Sequence, residues 1–286
     1  MSTRAEDAFR ADIVEVGRRM YARGYVASND GNISIRLDDS TILTTPKSVS
    51  KGFMTADMMV VVDLDGKKIR GTRDASSELL MHLEVYKNRP DVRAVVHAHP
   101  PTATGFAVAG IPLDRAVLAE VVTTLGSIPI AEYGTPSTPE LPAAVRKYIK
   151  AYDGLLLANH GALTIGPDVF AAYYKMETIE HFAKISLVAR QLGREHLLSR
   201  EEVVRLQDLR GNYGIKSPAP ICADGSETPA NADQASCQII EAPSSSGARL
   251  IPTDPADLDG EIRLSYRELT ALIEDAVKAL LGGQHG

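Results

Sequence analysis

The chain has 286 residues, a formal net charge of −6 and 44% hydrophobic residues. This length allows one large domain with additional segments, and the hydrophobic content is sufficient for a substantial core. The acidic balance argues against a nucleic-acid-binding protein, no apolar run approaches membrane-spanning length, and the N-terminus lacks the apolar core of a signal peptide. We therefore expect a cytoplasmic protein that binds neither nucleic acid nor membrane.

The first part of the chain predicts one helix followed by short strands. Apolar residues recur at near-helical spacing over residues 5–23, and Gly24 ends this helix. Short apolar runs then predict strands over 33–37, 41–44 and 58–62. The change from helical spacing to short runs places the first sheet strands directly after the first helix.

The middle of the chain predicts helices and strands in an irregular order. Ser76 is expected to cap a helix that leads to an apolar strand ending at His97, and a strand over 155–158 precedes His160. Because the strands come in pairs rather than in strict alternation with helices, the pattern argues against a parallel doubly wound sheet. Further helices are predicted from the Pro100–Pro101 pair to 109, from Pro139, from 167 to 193, and from a capping box at Ser199 and Glu202.

Two histidines, His97 and His99, stand one residue apart at the end of an apolar strand. Side chains two apart on a strand point to the same face, so both imidazoles can reach one metal ion. His160 follows another apolar run and supplies a third imidazole. Three histidines with an open fourth position form the ligand set of a catalytic zinc site, although a His-x-His pair by itself is more often a pair of ordinary core or surface histidines.

Four short segments, in this order and spacing, resemble the class II aldolase and adducin family, and most closely its sugar-phosphate aldolases. The resemblance covers roughly residues 4–216. It implies an α/β fold, namely a three-layer α/β/α sandwich around a mainly antiparallel nine-stranded sheet, and a homotetramer with its sites between subunits. The segments are SNDGNIS at 28–34, TPKS at 45–48, SSE at 76–78, and HAH at 97–99 together with NHG at 159–161.

The resemblance also implies roles for individual residues. The three histidines hold one Zn²⁺ per subunit, and Glu78 is the general acid/base, which also ligates the metal when substrate is absent. The substrate phosphate is gripped by Asn32, Ser76 and Ser77. From the residues alone, Ser76 and Ser77 are also explained as helix caps, and Glu78 as a first-turn carboxylate that favours the helix dipole. His82, one turn beyond Glu78, is expected to pack or cap rather than to bind metal.

Several positions depart from the family's usual pattern. Ser48 stands where the phosphate loop often has glycine, and Lys47 adds a cation that either strengthens phosphate binding or indicates a different anionic group. The segment 114–118 lacks the tyrosine that some aldolases carry there. Tyr213, in an Asn-Tyr-Gly segment, resembles a second family tyrosine and is a catalytic candidate, whereas Tyr133 is expected to pack.

The predicted reaction is zinc-dependent cleavage of a ketose 1-phosphate of the fuculose or rhamnulose type into dihydroxyacetone phosphate and a small aldehyde such as lactaldehyde. A pentulose-phosphate 4-epimerase is the nearest alternative, but such sequences usually read Ser-Ser-Asp where this chain has Glu78. Decarboxylases and dehydratases of phosphorylated sugar acids or thiosugars keep a glutamate there and stay open. A non-catalytic adducin-like scaffold predicts loss of the metal-binding histidines, which are all present.

The composition changes in the last quarter of the chain. We divide the sequence into a class II aldolase domain over 1–216, a disordered linker over 217–260 and an amphipathic helix over 261–286. The linker holds Cys222 and Cys237, which make no disulfide framework.

The final helix needs a partner for its apolar face. It resembles the encapsulation peptides that direct enzymes into bacterial microcompartments by binding a shell protein, and the alternative is docking on its own catalytic domain.

Overall fold

The computed structural model describes residues 3–215 and Ile221. Apart from Ile221, the predicted linker over 217–260 lies outside the described residues, as do Cys222, Cys237 and the predicted helix over 261–286. Among the described helices, none is both long and apolar enough to cross a bilayer.

Eight strands form one sheet in the described part of the chain. Their order across the sheet is β4-β3-β2-β1-β5-β8-β7-β6. Every neighbouring pair is antiparallel except β6 and β7. The strands are β1 (Asn32–Arg36), β2 (Thr41–Thr44), β3 (Val60–Asp63), β4 (Lys68–Arg70), β5 (Ala94–Ala98), β6 (Ile130–Ala131), β7 (Gly154–Leu157) and β8 (Gly161–Gly166).

The mainly antiparallel sheet is as expected, but the count of nine strands is wrong for the described residues, which form eight. Two further pairings, Pro46 with Ala75 and Leu113 with Ile128, are isolated bridges. Pro46 has no N–H with which to extend a ladder, so its bridge cannot grow into a strand. Both contacts are single bridges outside the eight strands.

The described residues form seven α-helices, and helices cover both faces of the sheet. Alternate residues of a strand point to opposite faces, so Val96 of β5 joins the core beneath α1, α3 and α6, whereas Val95 joins the core beneath α2 and α5. The three-layer α/β/α sandwich is thus confirmed. The helices are α1 (Thr3–Ala22), α2 (Leu79–Asn88), α3 (Pro101–Val108), α4 (Ala119–Thr124), α5 (Glu140–Arg146), α6 (Val169–Gln191) and α7 (Arg200–Leu209).

Side-chain capping explains where two of the predicted helices begin. Asp168 caps α6 through its side chain, which accepts a hydrogen bond from Ala171 N at 2.8 Å. Ser199 and Glu202 form the predicted capping box of α7. The start of α2 differs from the prediction, because Ser76 Oγ accepts from Glu78 N within a turn and the helix begins three residues later, at Leu79.

Candidate active site

The three histidines come together at one end of the β5–β8 strand pair. His97 lies in β5 and His99 follows it, whereas His160 stands in the tight turn that joins β7 to β8. The ring centroids are 4.8 to 5.0 Å apart in all three pairs. One ligand nitrogen from each ring lies within 4.8 Å of the others. The antiparallel pairing therefore closes a triad that spans more than 60 residues of sequence.

The turn that carries His160 requires its two neighbours. Asn159 has a φ of +54°, in the left-handed region that asparagine tolerates better than most residues. Gly161 lies against β5, and a Cβ there would stand 2.5 Å from Ala98 O and 2.6 Å from the His99 ring. Any side chain at position 161 would push the third histidine away from the other two. The Asn-His-Gly segment is therefore explained by backbone geometry.

Hydrogen bonding fixes which nitrogen of His97 faces the other rings. The Nδ1 of His97 is 2.9 Å from Ala162 O, an acceptor, so Nδ1 carries a proton and Nε2 faces the other rings. That Nε2 lies 3.1 Å from Nε2 of His99. Burial, followed by the neighbouring His97 and His160, lowers the pKa of His99 to about 3, which leaves its ring neutral.

The donor set fits a divalent transition metal. A tetrahedral zinc ion with bonds of about 2.0–2.1 Å holds its ligand nitrogens roughly 3.3 Å apart, close to the separation of the His97 and His99 nitrogens. A backbone carbonyl on the far nitrogen of His97 is also what metal-ligating histidines commonly have. His97, His99 and His160 could therefore hold such an ion, and neutral imidazoles suit Zn²⁺.

Glu78 points its carboxylate at the histidine triad. It stands at the residue before α2, with its side chain 12% exposed, and its oxygens lie 3.4 Å from His97 Nε2 and 3.1 Å from His160 Nε2. Burial opposes ionisation, but the adjacent His97 and His160 outweigh it and lower the pKa of Glu78 well below its usual range. The carboxylate is thus the ionised group nearest to the candidate metal position.

Asn32 connects Glu78 to the first strand of the sheet. It pairs with His97 across β1 and β5, and its Nδ2 donates to Glu78 Oε2 at 2.9 Å. Gly31 before it has a φ of +70°, and a Cβ there would lie 2.8 Å from His97 O. Only glycine allows the chain this close to β5 in that conformation. The Gly-Asn pair therefore places an amide donor directly beside the glutamate.

A cavity of about 230 Å³ opens beside Glu78, His99 and His160. Two of its walls, formed by the segments 45–48 and 74–78, are joined by backbone hydrogen bonds. Ser76 N donates to Thr45 O at 3.1 Å, and Lys47 N donates to Asp74 O at 2.9 Å. The structure thereby brings eight of the nine predicted site residues to one centre, and Asn32, Lys47, Ser76 and Ser77 line the cavity with Glu78.

Tyr213 is the one predicted site residue that lies neither in the histidine triad nor on the wall of this cavity. It lies in the 3₁₀ turn Arg210–Tyr213 after α7, and it is 67% exposed. Tyr133 is also exposed rather than packed, so the expectation that it packs is wrong: it falls in the loop after the two-residue strand β6. A catalytic role for Tyr213 stays a prediction.

Three residues of interest escaped the sequence prediction. Asp30 Oδ2 lies 3.5 Å from His99 Nδ1, and Lys51 and Ser137 line the cavity. Nothing local distinguishes a lysine in a polar segment from a surface lysine, and Ser137 reaches the site from a distant loop. The expectation for His82 is confirmed, because it is fully buried and its Nδ1 lies 2.7 Å from Ser34 Oγ.

Comparison with known proteins decides the family. Residues 11–187 match the model of the class II aldolase and adducin N-terminal domain. The chain belongs to the class II aldolase and adducin family. The predictions of this family and of an enzyme of the class II aldolase type are thereby confirmed.

Members with different reactions resemble this class II aldolase-family chain to a similar degree. It is 33% identical over 191 residues to a 3-oxo-tetronate 4-phosphate decarboxylase of Pectobacterium atrosepticum, covering 65% of this chain and 87% of that protein. It is 34% identical over 181 residues to an L-fuculose phosphate aldolase of Methanococcus maripaludis, covering 63% and 97%. Identity alone therefore does not choose between the two reactions.

A solved structure shares the fold. YgbL from Klebsiella pneumoniae, described as a candidate aldolase, epimerase or decarboxylase, superimposes with a TM-score of 0.65 at 29% identity, covering 70% of this chain and 98% of that one. Residues 11–187, which match the family model, carry the eight strands and the three histidines.

Proposed function

We propose that the protein is a zinc-dependent lyase that cleaves a ketose 1-phosphate of the fuculose or rhamnulose type, giving dihydroxyacetone phosphate and a small aldehyde such as lactaldehyde. The observation that carries this proposal is the position of Glu78, which faces His97 and His160 at the mouth of a cavity lined by Asn32, Ser76 and Ser77.

The proposed metal ligands are His97, His99 and His160, with one Zn²⁺ per subunit and Glu78 as a further ligand in the absence of substrate. A zinc ion held there supplies Lewis-acid stabilisation for the negative charge that develops on substrate oxygens. The hydrogen bond from His97 Nδ1 to Ala162 O supports this ligand set because it turns Nε2 toward the triad, and the lowered pKa of His99 leaves that ring neutral.

Glu78 is the proposed acid/base. Cleavage of the carbon–carbon bond leaves an electron pair on the phosphate-bearing fragment, and a proton must reach that carbon before the fragment leaves. Glu78 is the ionised carboxylate nearest the triad, and it accepts a hydrogen bond from Asn32 that limits its side-chain rotation. It is therefore positioned to hold a proton and to transfer it over a short distance.

The phosphate end of the proposed site lies on the wall formed by Ser76, Ser77 and Lys47. The serine hydroxyls donate hydrogen bonds, and the Lys47 ammonium supplies a positive charge. The N-terminus of α2 begins immediately after this wall and adds the positive end of its dipole. These interactions would hold the phosphate and orient the reacting carbons at the metal.

A decarboxylase of a phosphorylated 3-oxo sugar acid is the second candidate. Its support is the 33% identity to a 3-oxo-tetronate 4-phosphate decarboxylase. The two reactions share their requirements, since loss of carbon dioxide also leaves an electron pair on carbon that must be protonated. Glu78, the metal ligands and the phosphate wall would serve either substrate.

A substrate panel tests the proposal. The purified, zinc-loaded protein is assayed with ketose 1-phosphates, 3-oxo sugar-acid phosphates and ketopentose 5-phosphates, with coupled detection of dihydroxyacetone phosphate, carbon dioxide and the epimer. We expect dihydroxyacetone phosphate from a ketose 1-phosphate. Release of carbon dioxide alone would favour the second candidate, and inactivity on all phosphorylated substrates would contradict both.

Two proposals concern assembly, and both rest on the sequence. The protein is proposed to form a homotetramer, as the family resemblance implies. The segment 261–286 is proposed to bind a microcompartment shell protein, because its predicted apolar stripe needs a partner. Enclosure would retain a reactive aldehyde for the next enzyme.

A further inference from the structure

Lys51 is a buried lysine at the wall of the candidate active-site cavity. It is 2% exposed, and its Nζ donates hydrogen bonds to Asn29 O at 2.9 Å and to Val49 O at 2.7 Å. Burial lowers the pKa of this ammonium to about 8, against the opposing effect of Asp30 and Glu78. Burying a charged group costs free energy unless the group is hydrogen-bonded, so the two main-chain carbonyls stabilise the buried ammonium.

The two carbonyls belong to different loops. Asn29 lies in the loop over 27–31 that precedes β1, and Val49 lies in the loop over 45–50 that follows β2. Both loops line the cavity, the first through Asn29 and the second through Ser48. A single ammonium therefore connects two walls that are not neighbours in sequence.

Both loops contain a serine in a conformation that serines rarely adopt. Ser28 has a φ of +49° and Ser48 a φ of +58°. Such left-handed residues cost free energy and persist only where the surroundings fix them. Hydrogen bonds from Lys51 to the residue after each serine supply part of that constraint.

The backbone of Lys51 is held in place by the first helix. A Cβ on Gly17 of α1 would lie 2.8 Å from Lys51 O, and a Cβ on Gly52 would lie 2.5 Å from the Tyr21 ring. The 3₁₀ turn Lys51–Phe53 thus packs closely against α1. From this fixed base the side chain reaches across to the Asn29 carbonyl.

We infer that Lys51 is a positioning residue: it fixes the 27–31 and 45–50 loops at the separation that the substrate phosphate requires. The inference rests on the proposed function, because it assumes that the phosphate binds in the cavity that these two loops help to line. Lys51 need not contact the substrate, since its two hydrogen bonds act on the walls. Its expected effect is on phosphate affinity and KM rather than on proton transfer.

Lys51→Met tests the inference, with the exposed Lys67→Met as the matched control. Inorganic phosphate binding to the zinc-loaded proteins is measured by titration calorimetry, together with KM and kcat. We expect Lys51→Met to weaken phosphate binding and to raise KM by about 10- to 100-fold, as misplaced binding groups do. We expect kcat to change much less, metal content to stay the same, and Lys67→Met to behave as wild type.

Amide hydrogen exchange gives a second readout, because Lys51→Met should speed exchange in 27–32 and 45–50 and leave the β5–β8 pair unchanged. Equal phosphate affinity in Lys51→Met and wild type, or a loss confined to kcat, overturns the inference while leaving the proposed function intact. A wild-type protein that binds no phosphate contradicts the proposed phosphate site itself and the inference with it. Should Lys51→Met not fold, Lys51→Gln, which keeps a polar side chain without the charge, is judged by the same criteria.

Discussion

Asn32 Nδ2 donates a hydrogen bond to Glu78 Oε2 over 2.9 Å, across 46 positions of sequence. Asn32 is also the residue paired with His97 across β1 and β5. One side chain thereby links the candidate acid/base to the strand that carries a candidate metal ligand. This assigns Asn32 a contact with Glu78 in addition to the phosphate contact that the sequence predicts.

Replacing Asn32 with alanine should lower kcat/KM by about 10- to 100-fold, since a hydrogen bond to a charged group is worth about 1.5–3 kcal/mol. Asn88→Ala is a matched control, because Asn88 Nδ2 donates to Glu84 Oε1 at 2.7 Å in another Asn–Glu pair outside the cavity. The measurement is steady-state kinetics with metal content. Equal losses of kcat/KM in both variants would show that the hydrogen bond from Asn32 to Glu78 does not contribute to catalysis.

Replacing His97, His99 or His160 with alanine should weaken metal binding by at least about 100-fold. Loss of a residue that only hydrogen-bonds to a metal ligand typically costs about 10- to 100-fold, and loss of a ligand itself should cost more. The reason is that each ring supplies one nitrogen to the triad. Metal content by mass spectrometry and helicity by circular dichroism check this, with the exposed His181→Ala as control. Stoichiometric zinc in a triple variant would contradict the ligand assignment.

Glu78→Gln keeps the shape of the side chain but cannot transfer a proton, so turnover should fall by about two to four powers of ten. Phosphate binding should remain. Glu84→Gln is the control, because Glu84 lies within α2 and pairs with Arg146 away from the cavity. Wild-type turnover in Glu78→Gln would move proton transfer elsewhere, and Tyr213 would be the next residue to replace.

The pKa of Lys51 also predicts a dependence of stability on pH. Burial lowers that pKa to about 8 from an unfolded value of 10.5, so the unfolded chain binds more protons between these values and stability rises with pH. Wild type should gain about 1–2 kcal/mol relative to Lys51→Met between pH 8 and 10. Denaturant unfolding of both proteins at each pH measures the difference. A constant difference would mean that Lys51 keeps an ordinary pKa.

Removal of residues 262–286 should leave catalysis unchanged and abolish binding to a shell protein. Charging the predicted apolar stripe with Leu272→Asp and Leu280→Asp should do the same, whereas Lys278→Gln, which falls off the stripe, should not. Fusion of residues 255–286 to a fluorescent protein should recruit it to the shell. A truncated protein with a lower melting temperature, together with a fused tail that recruits nothing, would instead support docking on the catalytic domain.

The sequence by itself determined the features that depend on near neighbours. The capping box at Ser199 and Glu202 is decided within one turn of helix, and it was predicted correctly. The same holds for the pair His97 and His99, because strand geometry alone places both side chains on one face. Motif order identified His160 and Glu78, although no local rule explains why they meet.

The tertiary structure decided the contacts between distant segments. Strand pairing brings Asn32 beside His97 and thereby to Glu78, and no spacing along the chain encodes that contact. Lys51 is buried because α1 fixes its turn and two loops offer their carbonyls, whereas its local sequence is that of a surface lysine. The spacing of residues along the chain decides which side chains share one face of a helix or strand. The burial of a side chain and its hydrogen-bond partners depend instead on which helices, strands and loops pack together.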